Sequence, residues 1–353
     1  MEKGYLAIVL HAHLPYVRHP EYKDSIEETW LYEAMTETYI PLLLVFDELT
    51  AQGIDFRLTL SISPTLVSML LDPLLQERYL KRLERLLALS EKEIRRTRSQ
   101  PRFNVVARMY RRIFRRVHDA YLNRYHRNLV QAFRRFQDLG QIEIIATAAT
   151  HGYLPLLAVN PAAVKTQIHV ALEQYRTYFG QPSKGFWLPE CAFSPGLDKV
   201  LREYDLGYSF VETHGLTRAE PRPEHGVYAP VYTPDGLAVF GRDPESSRQV
   251  WSSIDGYPGD YDYREFYRDI GHDLDMEYLK PYIHCVGFRL DTGIKYYRIT
   301  GKDHRKEVYI PEWAERKIDL HAGRSTPSGS CSPAAAWAVL LSRPPRRLTE
   351  PAG

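Results

Sequence analysis

Short apolar runs alternate with longer stretches of helical periodicity along this chain. The apolar runs are rich in aliphatic and aromatic residues, and they predict buried strands at residues 5–10, 55–63, 141–147, 183–188 and 208–211. Between these runs, apolar residues recur at helical spacing. Strands that alternate with helices are typical of a parallel, barrel-like α/β fold, and the pattern predicts this fold.

Two of the predicted helices have clear ends. Residues 30–52 form one that ends near Gly53, and residues 161–179 form one that is closed by Gly180, because glycine commonly follows the last helical turn. A shorter helix is predicted for residues 195–204.

The longest predicted helical region covers residues 64–139, with a break near residues 99–101. Pairs of adjacent arginines in it are compatible with nucleic-acid binding: Arg95-Arg96, Arg111-Arg112, Arg115-Arg116 and Arg134-Arg135. Acidic residues are interspersed among them, and apolar residues between 109 and 117 keep an amphipathic period. We therefore interpret the arginines as part of a solvated helical face.

Groups that can accept or donate protons follow three of the predicted strands. His11 and His13 follow the first strand, His151 follows the third, and Glu190 follows the fourth, where Pro189 cannot continue a strand ladder. Each motif carries a proline within a few residues. Because the carboxyl ends of parallel strands meet at one edge of a sheet, we expect these side chains to converge on one pocket.

Glu190 is a candidate catalytic carboxylate. Trp187 and Phe193 flank it, which predicts partly apolar surroundings and a flat aromatic face for a sugar ring. The alternative is a surface glutamate in the loop between a strand and a helix.

The histidines also admit alternatives. His11 and His13 are two residues apart and could form a metal pair, or they could donate hydrogen bonds around a sugar. His151 could orient a carboxylate or bind a sugar hydroxyl, or backbone carbonyls could satisfy it.

Composition narrows the class of protein. With 353 residues, the chain can form one large domain or two ordinary ones, and its formal net charge of +2 is too small to favour nucleic acid or membrane as a partner. Three cysteines form no framework of disulfide pairs, which favours a reducing compartment. No apolar run has the length of a membrane span or of a signal-peptide core. We therefore predict a cytoplasmic protein with no membrane association.

Three motifs together resemble the first conserved regions of glycoside hydrolase family 57. They are His-Ala-His-Leu-Pro-Tyr at residues 11–16, His-Gly-Tyr-Leu-Pro at 151–155 and Trp-Leu-Pro-Glu at 187–190. Within that family the chain most resembles the 1,4-α-glucan branching enzymes, because of the first motif and of Gln-Val-Trp-Ser at 249–252 followed by Gly-Tyr-Pro-Gly at 256–259. The resemblance covers residues 4–324.

The resemblance implies a fold and a reaction. The fold is an incomplete (β/α)7-type barrel at residues 1–324, with the helical excursion at 64–139 and a cleft loop at 215–259. The implied reaction is retaining transfer of an α-1,4-glucan segment to a C6 hydroxyl in glycogen or starch metabolism, with Glu190 as the nucleophile and with neither cofactor nor metal. Implied or candidate substrate-binding residues are His11, His13, His151, Trp187, Trp30, Tyr257 and Trp251. Trp30 could instead be part of the core, and Trp251 could belong to the hydrophobic underside of the cleft loop. The cleft loop carries a tyrosine in the resembled enzymes, and Tyr257 is the candidate for it.

The sequence departs from the family after Arg324. In the family the acid/base residue is an aspartate well downstream, and no matching segment is present in this sequence. Residues 325–353 are rich in Ser, Pro, Ala and Arg, which predicts an aberrant, disordered tail. We hypothesise a frameshift or truncation near this point, and we expect weak or no branching activity without the acid/base group.

Several functional alternatives stay open at this stage. An α-amylase or a 4-α-glucanotransferase of the same family would use the same nucleophile with another acceptor. A metal-dependent carbohydrate deacetylase would use His11, His13 and an acidic partner. A glucan-binding protein without catalysis would need none of this chemistry. The sequence predicts no oligomeric state.

Overall fold

The computed structural model describes residues 5–283, 289–301, 305–325, 337–341 and 346–347. Within this part of the chain one mixed sheet contains β1 (Tyr5–Ala12), β2 (Leu58–Ile62), β3 (Ile142–Thr147), β4 (Gly185–Trp187), β5 (Tyr208–Val211), β6 (Val231–Tyr232), β7 (Ala238–Gly241), β8 (Trp337–Leu341) and β9 (Arg346–Arg347).

The strand order is β8-β1-β2-β3-β4-β5-β7-β6-β9. Neighbouring strands from β1 to β5 are parallel, and β7 continues the series parallel to β5. At the two edges, β8 pairs antiparallel with β1, and β6 pairs antiparallel with β7. The parallel strands with their helices form a half-barrel. This confirms the predicted incomplete (β/α)7-type barrel.

Helices connect and cover the strands. They are α1 (Ile26–Ala34), α2 (Ile40–Ala51), α3 (Pro64–Leu71), α4 (Pro73–Arg96), α5 (Pro101–Asp119), α6 (Leu129–Asp138), α7 (Leu154–Leu157), α8 (Pro161–Phe179), α9 (Leu197–Glu203), α10 (Thr213–Thr217), α11 (Pro244–Trp251), α12 (Ile270–Asp273), α13 (Met276–Leu279) and α14 (Pro311–Ser325). Single π-helical turns at Met35–Tyr39 and Ala120–Arg124 continue α1 and α5. The predicted helical excursion between β2 and β3 is therefore present as α3 to α6, and Gly180 closes α8 in a left-handed conformation with φ 74°.

Alternation along the strands divides the interior into two layers. Leu10, Leu60 and Ile144 face the helices and belong to the main core. Their neighbours Val9 and Ile145 face the inside of the half-barrel and pack in a small separate core, which also contains Trp187, Cys191 and Phe210. Period-two alternation produces this arrangement, because successive strand residues point to opposite faces.

A third core joins the helical excursion to a late part of the chain. Apolar residues of α4 and α5 pack against residues between 270 and 296, and these include Leu86, Leu89, Val106, Tyr110, Phe114, Ile270, Leu279, Ile294 and Tyr296. A buried carboxylate connects the same two regions. Glu93 accepts hydrogen bonds from the hydroxyls of Tyr278 (2.7 Å) and Tyr296 (2.8 Å).

Residues 215–259 differ from the irregular cleft loop that the sequence predicted. They contain β6, β7 and α11, and β7 is the next parallel strand of the half-barrel. The turn between β6 and β7 contains Pro234-Asp235-Gly236. A short apolar run after this turn is a hairpin signal that the sequence analysis missed.

The predicted disordered tail lies mostly outside the described residues. Two short strands within it are described: β8, which pairs with β1, and β9, which pairs parallel with β6.

Candidate active site

The structure brings His11, His13 and His151 together at the carboxyl ends of β1 and β3. The ring centroids of His13 and His151 lie 3.8 Å apart, and those of His11 and His151 lie 4.9 Å apart. The His11 ring also stacks on Trp187, at 4.5 Å with an interplanar angle of 10°. Side chains from three strands therefore meet at one edge of the sheet, as expected for parallel strands.

Burial keeps these histidines neutral. It lowers the pKa of His13 and of His151 to about 4. For His151, repulsion from a protonated His13 adds to the effect of burial. The pKa of His11 is lowered well below its usual value, first by burial and then by His151 and His13. Near neutral pH the three rings are therefore hydrogen-bonding groups without charge.

Hydrogen bonds assign a tautomer to His151. The hydroxyl of Thr147 donates to the carbonyl oxygen of Trp187 at 2.8 Å, so its oxygen can only accept from Nδ1 of His151, over a long 3.4 Å. The proton then lies on Nδ1, and Nε2 is left as an acceptor. This Nε2 is 3.9 Å from Oε1 of Glu190. Two acceptors that face each other favour a ligand with hydroxyl donors.

Glu190 lies directly past the end of β4, in a 3-10 turn at Pro189–Cys191. Its backbone is left-handed, with φ 55° and ψ 22°, and both Cys191 and His151 also have positive φ, of 53° and 55°. Residues other than glycine pay about 1–2 kcal/mol for this conformation. Such residues cluster at functional sites, where the surrounding structure holds them in place.

The surroundings of Glu190 differ from the sequence prediction. Its side chain is 76% exposed rather than flanked by apolar rings. Trp187, predicted as a sugar platform, is buried in the small inner core and offers no open face. The three-residue strand β4 turns this ring inwards, because alternate residues of a strand face opposite sides.

The other aromatic candidates lie apart from the histidine cluster. Trp30 on α1 and Trp251 at the end of α11 are exposed, so both can contact a ligand. The ring of Tyr257 instead stacks on His321 of α14 at 4.2 Å, and its hydroxyl donates to Oε1 of Gln249 at 3.2 Å. Tyr257 therefore anchors its loop to α14 in this structure.

A cavity of about 690 Å³ opens beside Glu190 on the side of β5 and β7. Its lining includes Asp198 of α9 and Glu212, which follows β5. Glu212 accepts a 2.7 Å hydrogen bond from Arg242, the residue after β7. Its volume is within the range of about 300–1,000 Å³ that is typical of small-molecule sites.

Two negative findings concern the described residues alone. Their His, Cys, Asp and Glu side chains form no group of three or more that could hold a metal ion. No helix in the same part of the chain is long and apolar enough to cross a membrane.

Residues 7–327 match the family model for glycosyl hydrolase family 57. The chain belongs to this family. A curated relative is the 1,4-alpha-glucan branching enzyme TK1436 of Thermococcus kodakarensis, which is 34% identical over 91% of this chain and 48% of its own length.

Two solved structures resemble the chain closely. The alpha-amylase AmyC of Thermotoga maritima is 45% identical with a TM-score of 0.87, over 92% of this chain and 62% of its own. The branching enzyme of Pyrococcus horikoshii is 31% identical with a TM-score of 0.79, over 98% of this chain and 63% of its own. The chain thus spans about half to two thirds of the length of these proteins.

Three residues that contact the candidate site were not predicted from the sequence: Ser63, Thr147 and Arg242. Ser63 follows β2 and lies 2.9 Å from Nδ1 of His13. Thr147 ends β3 and fixes His151, while Arg242 follows β7 and holds Glu212. Each of the three ends or follows a strand, so the rule that identified Glu190 could have identified them as well.

Proposed function

We propose that the chain carries the nucleophile of a retaining, α-glucan-active enzyme of family 57, and that Glu190 is this nucleophile. The observation that supports the proposal most is the backbone at Glu190. Its exposed carboxylate lies at the carboxyl end of a parallel strand, 3.9 Å from a neutral histidine. The left-handed turn that holds it costs stability, which is typical of functional rather than structural residues.

The proposed reaction proceeds by double displacement. A carboxylate oxygen of Glu190 attacks the anomeric carbon of a glucosyl unit, and the bond from this carbon to the leaving oxygen breaks. A second carboxyl group donates a proton to the leaving oxygen in the same step. A hydroxyl of the acceptor then attacks the same carbon and releases Glu190, while the second group, now a carboxylate, takes the proton of that hydroxyl. We assign only the nucleophile to this chain.

Neutral histidines suit this chemistry. Nε2 of His151 can accept a hydrogen bond from a sugar hydroxyl, and His13 has its Nδ1 engaged with Ser63, which orients the ring. Neither ring places a positive charge beside Glu190, so the carboxylate keeps its nucleophilicity.

The acceptor decides between two activities. We propose transfer to a C6 hydroxyl, because relatives that align with most of the chain are named branching enzymes. Hydrolysis is the second candidate, because the relative with 45% identity is named an alpha-amylase.

Covalent trapping tests the nucleophile. A fluorinated maltosyl fluoride needs no proton donor for its leaving group, so it isolates the first step. We expect peptide mass spectrometry to find the sugar on the peptide that contains Glu190, and no adduct on the Glu190→Gln variant. Label on another carboxylate, in both proteins, would refute the assignment.

Product analysis separates the two activities. With amylose as substrate, branching creates α-1,6 linkages that proton NMR detects, and it leaves the number of reducing ends constant. Hydrolysis raises the number of reducing ends and creates no such linkage.

A further inference from the structure

Two hydroxyl groups next to His13 determine which of its ring nitrogens carries the proton. Ser63 follows β2 and is fully buried, and Thr65 lies in the first turn of α3. Nδ1 of His13 is 2.9 Å from Oγ of Ser63, and this oxygen is 3.0 Å from Oγ1 of Thr65. Taken singly, each of these two contacts allows either partner to donate.

A third contact removes the ambiguity. The hydroxyl of Thr65 donates to the carbonyl oxygen of Leu14 at 3.1 Å, because a carbonyl can only accept. Thr65 has one hydroxyl proton, so Ser63 is the donor between the two hydroxyls. The proton of Ser63 is then committed as well, and Ser63 can only accept from His13. His13 therefore carries its proton on Nδ1, and Nε2 is left as an acceptor.

These contacts form a closed ring that joins the end of β1 to the start of α3. The ring runs from His13 through Ser63 and Thr65 to Leu14, the residue next to His13 in the chain. The backbone N–H of Ser63 also donates to the carbonyl oxygen of Ala12 at 3.0 Å. Hydrogen bonds that point in one direction along such a series strengthen one another, because each polarises the next.

The neighbouring histidine is held in the same way. Thr147 donates its proton to the carbonyl oxygen of Trp187, which places the proton of His151 on Nδ1. The rings of His13 and His151 are stacked, with centroids 3.8 Å apart, and both therefore offer Nε2 as an acceptor. Separate hydroxyl groups impose the same tautomer on two adjoining rings, which indicates a requirement of the site.

We infer that Thr65 is a positioning residue of the candidate active site, which acts through Ser63 to keep the proton of His13 on Nδ1. Without the hydroxyl of Thr65, Ser63 can donate to Nδ1, and the proton of His13 moves to Nε2. A donor then replaces an acceptor beside His151. The effect of Thr65 on reactivity rests on the proposed function, whereas the tautomer that it imposes does not.

Nitrogen NMR of the full chain, labelled at histidine, tests the tautomer. Near neutral pH the His13 ring is uncharged, and the chemical shifts of its two nitrogens distinguish the one that carries the proton. Loss of the signals in His13→Gln identifies them. We expect the proton on Nδ1 in the parent and in Thr65→Ser, which keeps the hydroxyl, and a shift of the proton towards Nε2 in Thr65→Val.

Thr50→Val is the matched control for this measurement. Thr50 at the end of α2 is half-buried, and its hydroxyl also donates to a backbone carbonyl, that of Phe46 at 2.7 Å. This variant should leave the tautomer of His13 unchanged. The spectrum of the parent alone can refute the inference if Thr65→Val does not fold.

The rate of covalent trapping tests the effect on the reaction. We expect the fluorinated maltosyl fluoride to label Thr65→Val about 2- to 10-fold more slowly than the parent, which is the effect of losing one hydrogen bond between neutral groups. Thr65→Ser and Thr50→Val should be labelled at the rate of the parent.

The outcomes separate this inference from the proposed function. A proton on Nε2 of His13 in the parent, or an unchanged tautomer in Thr65→Val, would refute the inference even if Thr65→Val were less stable or less reactive. A changed tautomer with an unchanged trapping rate would overturn the positioning role. No trapping of the parent, with the tautomers as expected, would refute the proposed function and confirm the tautomer that Thr65 imposes.

Discussion

The left-handed backbone at Glu190 predicts that glycine stabilises this position and alanine does not. Both substitutions remove an exposed side chain whose Oε1 lies 3.9 Å from Nε2 of the neutral His151. Glycine relieves a conformational cost of about 1–2 kcal/mol, and it adds about 0.4–1 kcal/mol of entropy cost through the unfolded chain. We therefore expect Glu190→Gly to be more stable than Glu190→Ala by about 1 kcal/mol.

The expected difference can be measured by calorimetry. Unfolding entropy is about 2.1 cal/mol/K per residue, so for a chain of 353 residues 1 kcal/mol corresponds to a shift in Tm of about 1–2 °C. Urea titration of the same two proteins gives an independent value. Under the proposed mechanism both variants also lose the covalent adduct. Glu190→Gly should therefore gain stability relative to Glu190→Ala although neither variant is active.

A second glycine–alanine pair provides the control. Glu84 is exposed in the middle of α4, where glycine is less stable than alanine by about 1 kcal/mol. The order of stability should therefore reverse between positions 84 and 190. The same order at both positions would refute the left-handed conformation of Glu190 and, with it, the main support for the nucleophile.

Three further predictions concern the packing and the pH response. Asp269 accepts four hydrogen bonds at 2.7–2.8 Å, from the backbone N–H groups of Gly271, Thr292 and Gly293 and from the Thr292 hydroxyl. An amide cannot accept from all four donors, so Asp269→Asn should lower the free energy of unfolding, measured in urea, by about 3 kcal/mol. In Gly256→Ala the new Cβ would lie 2.5 Å from the carbonyl oxygen of Arg248, so the Tm of this variant should fall. Gly301→Ala is the control, because no described atom lies within 4 Å of its Cβ, and it should unfold like the parent. Because burial lowers the pKa of His151 to about 4, the unfolded chain binds the proton first on acidification, and stability should fall from about pH 6.5 to pH 4. Thermal unfolding across this range should show a smaller fall for His151→Asn, whose side chain tolerates positive φ; an equal fall would contradict the shift.

Local rules explain what could be predicted from the sequence. Pro189 cannot continue a strand ladder, so Glu190 could be placed past a strand end without knowledge of the tertiary structure. His151 could be placed in the same way because the apolar run before it ends at residue 147. Helical periodicity is also a local signal, and over long stretches it predicted α4, α5 and α8. The alternation of strands and helices indicated a barrel-like fold, and the family motifs then specified the (β/α)7 type.

Features that depend on several elements could not be predicted. The direction of the Trp187 ring depends on the register of a three-residue strand among its neighbours. The cavity that contains Asp198 forms only when α9, α10 and the β6–β7 hairpin pack together, and the hairpin itself was missed because its strands have two and four residues. Short strands carry little periodic signal, and tertiary packing decides them.

The core shared by α4, α5 and residues 270–296 has a consequence for the order in which the chain acquires its structure during synthesis. Leu86, Val106 and Phe114 leave the ribosome well before Ile294 and Tyr296, which cover them in the folded protein. At about 5–20 residues per second, roughly 180 residues of synthesis take about 10–40 s. For that interval the helical hairpin carries an uncovered apolar face, so this face is where a nascent chain needs protection from aggregation.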